Sequence, residues 1–340
     1  MRIKNQVLRA LKKKPMTFWE LINEQDAYII GFFETLQNLI KEGIIEYKDH
    51  RFFLNKNISI KERIDTFCPT CKIGVEVNGF FQEVYNKFLK ITEDRPIPLE
   101  DYDQGFVRPI DTIRRMVFIY ERGDLEGGEI FILGDDDLLG VAIGLTGMAQ
   151  RITIMEIDQR LISFIERVCR NEGIKNISVH QYNVLDPLPE ERLRKYDVFI
   201  TDPVETYLGF KLFLSQCIST LKGVGCSGYI GLTHREASMK KWAEFQRFFL
   251  NSGLVVTDIL RNMTIYPEKE NHFEHFYETY EIMSKMDLPL PEVDWYKSSF
   301  LRLEAVEELK ADAPLVNDFE ELYFDEESWA TPKLKKQTKD

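Results

Sequence analysis

The chain has 340 residues, a net charge of −12 and 44% hydrophobic residues, enough apolar content for packed cores in about two domains. So acidic a balance disfavours a general binder of nucleic-acid phosphates and attracts cations, polyamines included. No stretch approaches the roughly 18 apolar residues of a membrane span, the N-terminus lacks the apolar core of a signal peptide, and the five cysteines form no even framework. A cytoplasmic protein in a reducing interior, without a membrane partner, is expected. Abundant Lys and Glu are compatible with a heat-adapted source.

Residues 1–57 read as one unit. Ile3, Val7, Leu8 and Leu11 recur at helical spacing, Thr17 with Glu20 makes a capping box for a second helix, and a third helix spans about 27–42. Two short apolar runs then flank Lys48-Asp49-His50 as a hairpin. Three helices and a hairpin form the winged-helix pattern, which can serve DNA binding or act as a packing or dimer module. The unit carries ten Lys/Arg against seven Asp/Glu, but its third helix has only Lys41 as a base. Phosphate docking wants several, so an interface role is expected, with nucleic acid disfavoured.

Residues 58–127 read as a helical connector. Cys68 and Cys71 have the spacing of half a zinc knuckle, but no second pair follows at finger spacing. "DQG" at 103–105 is a loop that can line a nucleotide, and residues 109–123 read as a helix. From residue 128 to 287 strands and helices alternate: strands at 129–134, 151–158, 177–184, 196–203, 228–234 and 255–266, helices at 159–172, 207–221 and 236–251. Continuous apolar runs suit buried parallel strands. Residues 275–286 are expected to return antiparallel to the sixth strand. The predicted class is α/β, a Rossmann-like doubly wound catalytic domain of the S-adenosylmethionine-dependent transferase type behind the winged helix. Ligands sit at the carboxyl ends of such strands. Residues 288–340 read as an acidic, partly flexible tail with a docking segment at 319–330.

The strand ends carry the chemistry. Gly134 closes the first strand and leads into Asp135, Asp136 and Asp137. Glu156 ends the second, with Asp158 two residues on; an acid there can accept ribose hydroxyls. Asp186 after the third strand can accept from an adenine amine, or simply form a turn before Pro187. Asp202-Pro203 and Glu205 stand at the fourth, where a carboxylate can orient a nitrogen nucleophile. That stretch also resembles the Asp-Pro-Pro-Tyr type of motif in amino-group methyltransferases. Further on, Glu268, Glu270, His272, Glu274 and His275 cluster, and His272 and Glu274 would share a face of a strand, able to hold an ammonium arm or a metal. His234 follows the fifth strand near the active edge.

Three aspartates at a nucleotide loop would repel the carboxylate of S-adenosylmethionine by about 1–4 kcal/mol per close pair at intermediate dielectric. They suit decarboxylated S-adenosylmethionine, whose tail keeps only an amine. The transferred group would be aminopropyl and the acceptor a polyamine. The competing reading is a hard cation such as Mg²⁺ held by the cluster.

The series "ILGDDD", "MEID", "NVLD" and "TDPVET" resembles the aminopropyltransferases, with Asp136, Glu156, Asp186 and Asp202 matching the acidic positions of that pattern. Phe199 departs from it, standing where the first Asp of Asp-x-x-Asp-Pro would be. With the N-terminal unit and Gly-Asp-Asp-Asp-Leu, the chain resembles the branched-chain polyamine synthases of thermophiles. The resemblance implies transfer of aminopropyl groups from decarboxylated S-adenosylmethionine to the internal N4 of spermidine, releasing methylthioadenosine. No prosthetic group or metal is expected, and a homodimer is. Asp136 is the expected base, with Asp135 and Asp137 as electrostatic partners and Asp202 beside it. Gly134, Glu156, Asp158, Asp186, Pro203, Glu205, Gln104, Glu270 and Glu274 are the expected substrate contacts. Runner-up readings are a nucleic-acid amino-group methyltransferase and a nucleoside-sensing regulator.

Overall fold

Apolar residues at helical spacing build α1 (Arg2–Lys13), α2 (Phe18–Ile22) and α3 (Ile29–Lys41) at the N-terminus. Thr17 caps α2 by accepting from the Glu20 N–H, and the Glu20 carboxylate accepts in return from the Thr17 N–H. The hairpin of β1 (Ile45–Lys48) and β2 (Arg51–Leu54) turns at Asp49 and His50, both at positive φ, as a two-residue turn matched to strand twist requires. The computed structural model describes residues 2–25, 27–55, 75–316 and 319–332; the Cys68/Cys71 pair lies outside them.

Helices α4 (Gly79–Thr92) and α5 (Pro109–Glu121) lead into the main sheet. Its strands and helices alternate as β3 (Glu129–Leu133), α6 (Leu139–Thr146), β4 (Arg151–Glu156), α7 (Gln159–Glu172), β5 (Ile177–Gln181), β6 (Val198–Thr201), α8 (Tyr207–Thr220), β7 (Ser227–Thr233), α9 (Met239–Asn251) and β8 (Leu254–Ile265). After them come α10 (Glu268–Asn271), α11 (Glu281–Lys285), β9 (Lys297–Ala305) and α12 (Phe319–Tyr323). The strand order is β5-β4-β3-β6-β7-β9-β8, parallel from β5 to β7, with β9 antiparallel to both its neighbours. Alternate residues of β3 feed two cores: Ile130 and Ile132 join the one beneath α4–α7, Phe131 and Leu133 the one beneath α8 and α9, following the period of two of a strand.

The antiparallel strand expected at 275–286 is corrected. That stretch is turns and α11, and the antiparallel partner is β9. Its rings serve two other surfaces: Phe273, Phe276, Tyr277 and Tyr280 pack against the N-terminal unit and also line the central cavity. The residues from 288 therefore include a buried strand of the main sheet, not only a tail, and α12 docks on the same layer as α8 through Leu322 and Tyr323. The N-terminal unit shares its core with residues 273–295: Trp19, Phe18 and Phe32 are buried together with Trp295 and Tyr277.

Candidate active site

Register puts the strand ends at one level. Leu133 pairs with Met155 on one side and with Thr201 on the other, so Gly134, Glu156 and Asp202 leave the sheet together at the crevice where connections diverge. Gly134 turns the chain at φ +73°, a conformation glycine adopts freely. Gly231 on β7 is required for another reason: a Cβ there would run into the Asp202 carboxylate, whose Oδ1 instead accepts from the Gly231 N–H at 2.8 Å.

Above this edge lies a cavity with about 1290 Å³ of free space, its open mouth included. Seven carboxylates line it: Asp103, Asp136, Glu156, Asp202, Glu205, Glu236 and Glu268. No Lys, Arg or His is among the described residues of its lining. Aromatic rings fill much of the remaining wall, including Tyr182, Tyr266, Trp295, Tyr296 and Tyr323.

The three consecutive aspartates diverge. Asp135 points into the first turn of α6, where both carboxylate oxygens accept from the Gly140 N–H at 3.1 Å; burial holds its carboxyl well above the usual range, and the Gly140 bond restrains the rise. Asp137 accepts from the Val107 N–H and from Arg115 Nη1 at 2.9 Å. Asp136 alone of the three lines the cavity, with Oδ2 accepting from the Gly105 N–H. The expected cluster of three amine-facing carboxylates is corrected accordingly: in a tight loop consecutive side chains take different directions, and two of these are claimed by backbone and by Arg115. The same divergence leaves no common point at which all three would meet one cation.

Burial, with Asp137, Glu156 and Asp202 as neighbours, holds the Asp136 carboxyl well above the usual range. Burial lifts Asp137 to about 6, and Arg115 restrains the rise. Arg115 is itself fully buried, and its Nη1 also donates to Asp202 Oδ2 at 2.8 Å. Burial works against its charge, but Asp202 and Asp137 together raise its pKa. Asp202 is thus held from two sides and is half-buried at the cavity wall.

Glu156 lines the cavity with a fixed carboxylate. Oε1 accepts from the Ile157 and Asp158 N–H groups and Oε2 from that of Asp135. Burial raises its pKa despite these bonds. Gly134, Pro203, Glu205 and Gln104 also line the cavity. Gln104 comes from the connector, and Tyr102, Asp103 and Gly105 line the cavity with it. Glu205 accepts from the Thr233 N–H, and burial pushes its carboxyl up.

Four expected contacts fall elsewhere. Asp158 caps α7, pairs with Arg160 at 2.6 Å and accepts from Gln104, outside the lining. Asp186 is exposed beyond a turn in which its N–H donates to the Asn183 carbonyl; Asn183, with Tyr182 and Val184, forms the wall there. Glu270 and Glu274 are exposed, the latter beside His272 in a helical turn and not on a strand. His234 is buried but outside the lining, and His275 is exposed. At 268–275 the chain coils instead of running as a strand, which turns Glu268 inward. Phe199 is fully buried, its ring over Gly228, and belongs to the core.

Against this geometry, residues 83–330 match the family model described as the branched-chain polyamine synthase A C-terminal domain. The chain belongs to the branched-chain polyamine synthase family. A Thermococcus kodakarensis relative named N(4)-bis(aminopropyl)spermidine synthase is 36% identical over 92% of this chain and 90% of its own. One of the same name from Methanocaldococcus jannaschii is 35% identical over 92% and 91%. The crystal structure of the branched-chain polyamine synthase from Thermus thermophilus, in complex with N4-aminopropylspermidine and 5'-methylthioadenosine, superposes with a TM-score of 0.86 at 31% identity, covering 96% of this chain and 92% of that one. Within a branched-chain polyamine synthase, Arg115 and Glu236 are the site features that sequence patterns missed, and of the acids in the 268–275 cluster only Glu268 lines the cavity.

Proposed function

We propose that this protein transfers aminopropyl groups from decarboxylated S-adenosylmethionine to the internal N4 of spermidine, releasing methylthioadenosine. The observation that carries the reading is the cavity itself: seven carboxylates and a wall of aromatic rings, with no cationic side chain among its described lining residues. A polycation gains from both, through ion pairs in a low-dielectric space and through ring faces. The named relatives and the Thermus complex support the same chemistry.

The donor choice follows from Asp135. In methyltransferase-like folds the N-terminus of this first helix is the natural seat of an anionic tail. Here the protein's own carboxylate occupies the Gly140 N–H, and Asp136 follows it into the cavity. A tail ending in an ammonium fits; one ending in a carboxylate is repelled. Gly134 and Glu156 hold the nucleoside side.

In the reaction the lone pair of N4 attacks the methylene bonded to the sulfonium, the C–S bond breaks, and methylthioadenosine leaves as a neutral thioether. N4 must first lose a proton, and Asp136, whose burial makes it a stronger base than a free carboxylate, accepts it. Asp202, fixed by Gly231 and Arg115, orients the amine, and Pro203 stiffens its corner. Alignment of N4 against the methylene supplies the larger share, roughly 7–11 kcal/mol in well-oriented cases. The N-terminal helices and hairpin are read as a winged-helix-like packing module, and the assembly as a homodimer in a reducing cytoplasm. Among the described residues no helix is long and apolar enough to cross a membrane.

Chromatography of the nucleoside product tests the reading. With spermidine and decarboxylated S-adenosylmethionine, methylthioadenosine should accumulate. Turnover with S-adenosylmethionine instead, with a methyl group moved, overturns it.

A further inference from the structure

Glu268 opens α10, directly after the long strand β8, and lines the cavity while only 8% exposed. Its Oε2 accepts from the Tyr277 hydroxyl at 2.7 Å. Its Oε1 is buried with no hydrogen-bond partner among the described residues. A buried acceptor left unpaired carries a free-energy penalty, and the residue that bears it lines the cavity. Tyr277, Trp295 and Tyr280 stand near it, cavity-lining rings whose faces attract a cation.

The position of this carboxylate is set from the other end of the chain. The Tyr277 hydroxyl that donates to Glu268 accepts in turn from Trp295 Nε1 at 2.6 Å. Both rings pack on Trp19 of α2, with centroids 4.6 Å away for Trp295 and 5.5 Å for Tyr277. Trp19 is fixed by its own donation to the Pro289 carbonyl at 2.8 Å. A second route runs through the backbone: Asn23 Nδ2 donates to the Asp294 carbonyl, and Asp294 Oδ1 accepts from the Glu268 N–H.

We propose that Glu268 binds a terminal ammonium of the polyamine acceptor, and that the N-terminal unit positions it through Trp19, Trp295 and Tyr277. This rests on the aminopropyl-transfer reading above. Glu268 would thereby measure acceptor length, because it engages an arm and not the reacting nitrogen. None of the N-terminal unit's described residues lines the cavity; the unit supports the acceptor site from behind the Trp295 and Tyr277 rings, its role in the enzyme one of positioning.

The test compares Glu268→Gln, Tyr277→Phe and Trp19→Phe with the native full-length enzyme. Each is assayed with spermidine and with a spermidine analogue whose terminal amine is replaced by a methyl group. Methylthioadenosine affinity is measured by calorimetry in parallel. Loss of a charged hydrogen bond should raise the spermidine KM of Glu268→Gln by about 10- to 100-fold. The loss falls on KM, while kcat stays near the native value and methylthioadenosine binds as before. The native preference for spermidine over the analogue should disappear in this variant. Tyr277→Phe and Trp19→Phe should raise the spermidine KM by roughly 3- to 10-fold and leave the KM of the analogue alone. Equal KM changes for spermidine and the analogue, or none, overturn the inference. Native enzyme that releases no methylthioadenosine with any polyamine overturns the reading beneath it, which is a different outcome.

Discussion

Asp136 reaches the cavity from a loop in which its two neighbours are turned away, and its burial gives it an unusual affinity for a proton. Asp136→Asn keeps the shape and removes the proposed base. Turnover should fall by about 10²–10⁴-fold, while calorimetry should find methylthioadenosine binding close to native if, as proposed, Glu156 and Gly134 hold the nucleoside. Arg115 makes the opposite case. Replacing it with Met leaves Asp137 and Asp202 facing each other without their shared cation, and breaking a buried pair in this way costs about 3–5 kcal/mol. A thermal melt should show the drop directly. The acids at strand ends were legible in the sequence, because a carboxylate where an apolar run stops has few other places to go. Arg115 was not: its partners lie 22 and 87 residues away, and only the fold brings them to one guanidinium. Nor was the inward turn of Glu268, since a period-two reading of 268–275 assumed a strand where the chain coils.

Elements show the same division. Strands β3, β4, β6 and β7 were readable because parallel strands covered on both faces must be apolar along their length, and these four are buried almost throughout. Strand β9 was missed, hidden behind the Pro-rich acidic residues 288–294, whose composition resembles a tail. The third N-terminal helix was readable in its own way. Its apolar residues Ile29, Phe32, Leu36 and Leu39 are buried, and Glu34, Gln37, Asn38 and Lys41 are left outside. Such a face offers duplex DNA one positive charge and one negative, so a gel-shift titration of the full chain should find no sequence-selective, salt-sensitive binding. Deleting residues 2–55 would uncover Trp295, Tyr277 and Tyr280, which share a core with Trp19. The truncated protein should be less soluble and lower-melting than the native chain, as scattering and thermal melts would show; an unchanged melt would argue that the two parts are independent.

For the molecule as a whole, the acidic cavity makes stability depend on pH. Burial raises Glu268 to about 8 from an ordinary 4.5, and Asp136 and Glu205 move the same way. Between those values the folded chain keeps protons that the unfolded chain has released, so stability falls as pH rises. The contribution is fully present below about 4.5 and is lost as pH climbs through about 8. The melting temperature of the ligand-free protein should therefore decline from pH 6 to 8. Spermidine should flatten that decline, because a bound cation stabilises the ionised carboxylates; a melt that rises over this range would contradict the electrostatic picture of the cavity.

Transfer of an aminopropyl group to an internal nitrogen within this cavity is open to direct measurement by fragmentation mass spectrometry of spermidine incubated with the enzyme and decarboxylated S-adenosylmethionine. The product should be heavier by one or two aminopropyl units, with fragments that place every addition on N4. A linear product extended at a terminal amine, or a gain of methyl mass, would contradict it.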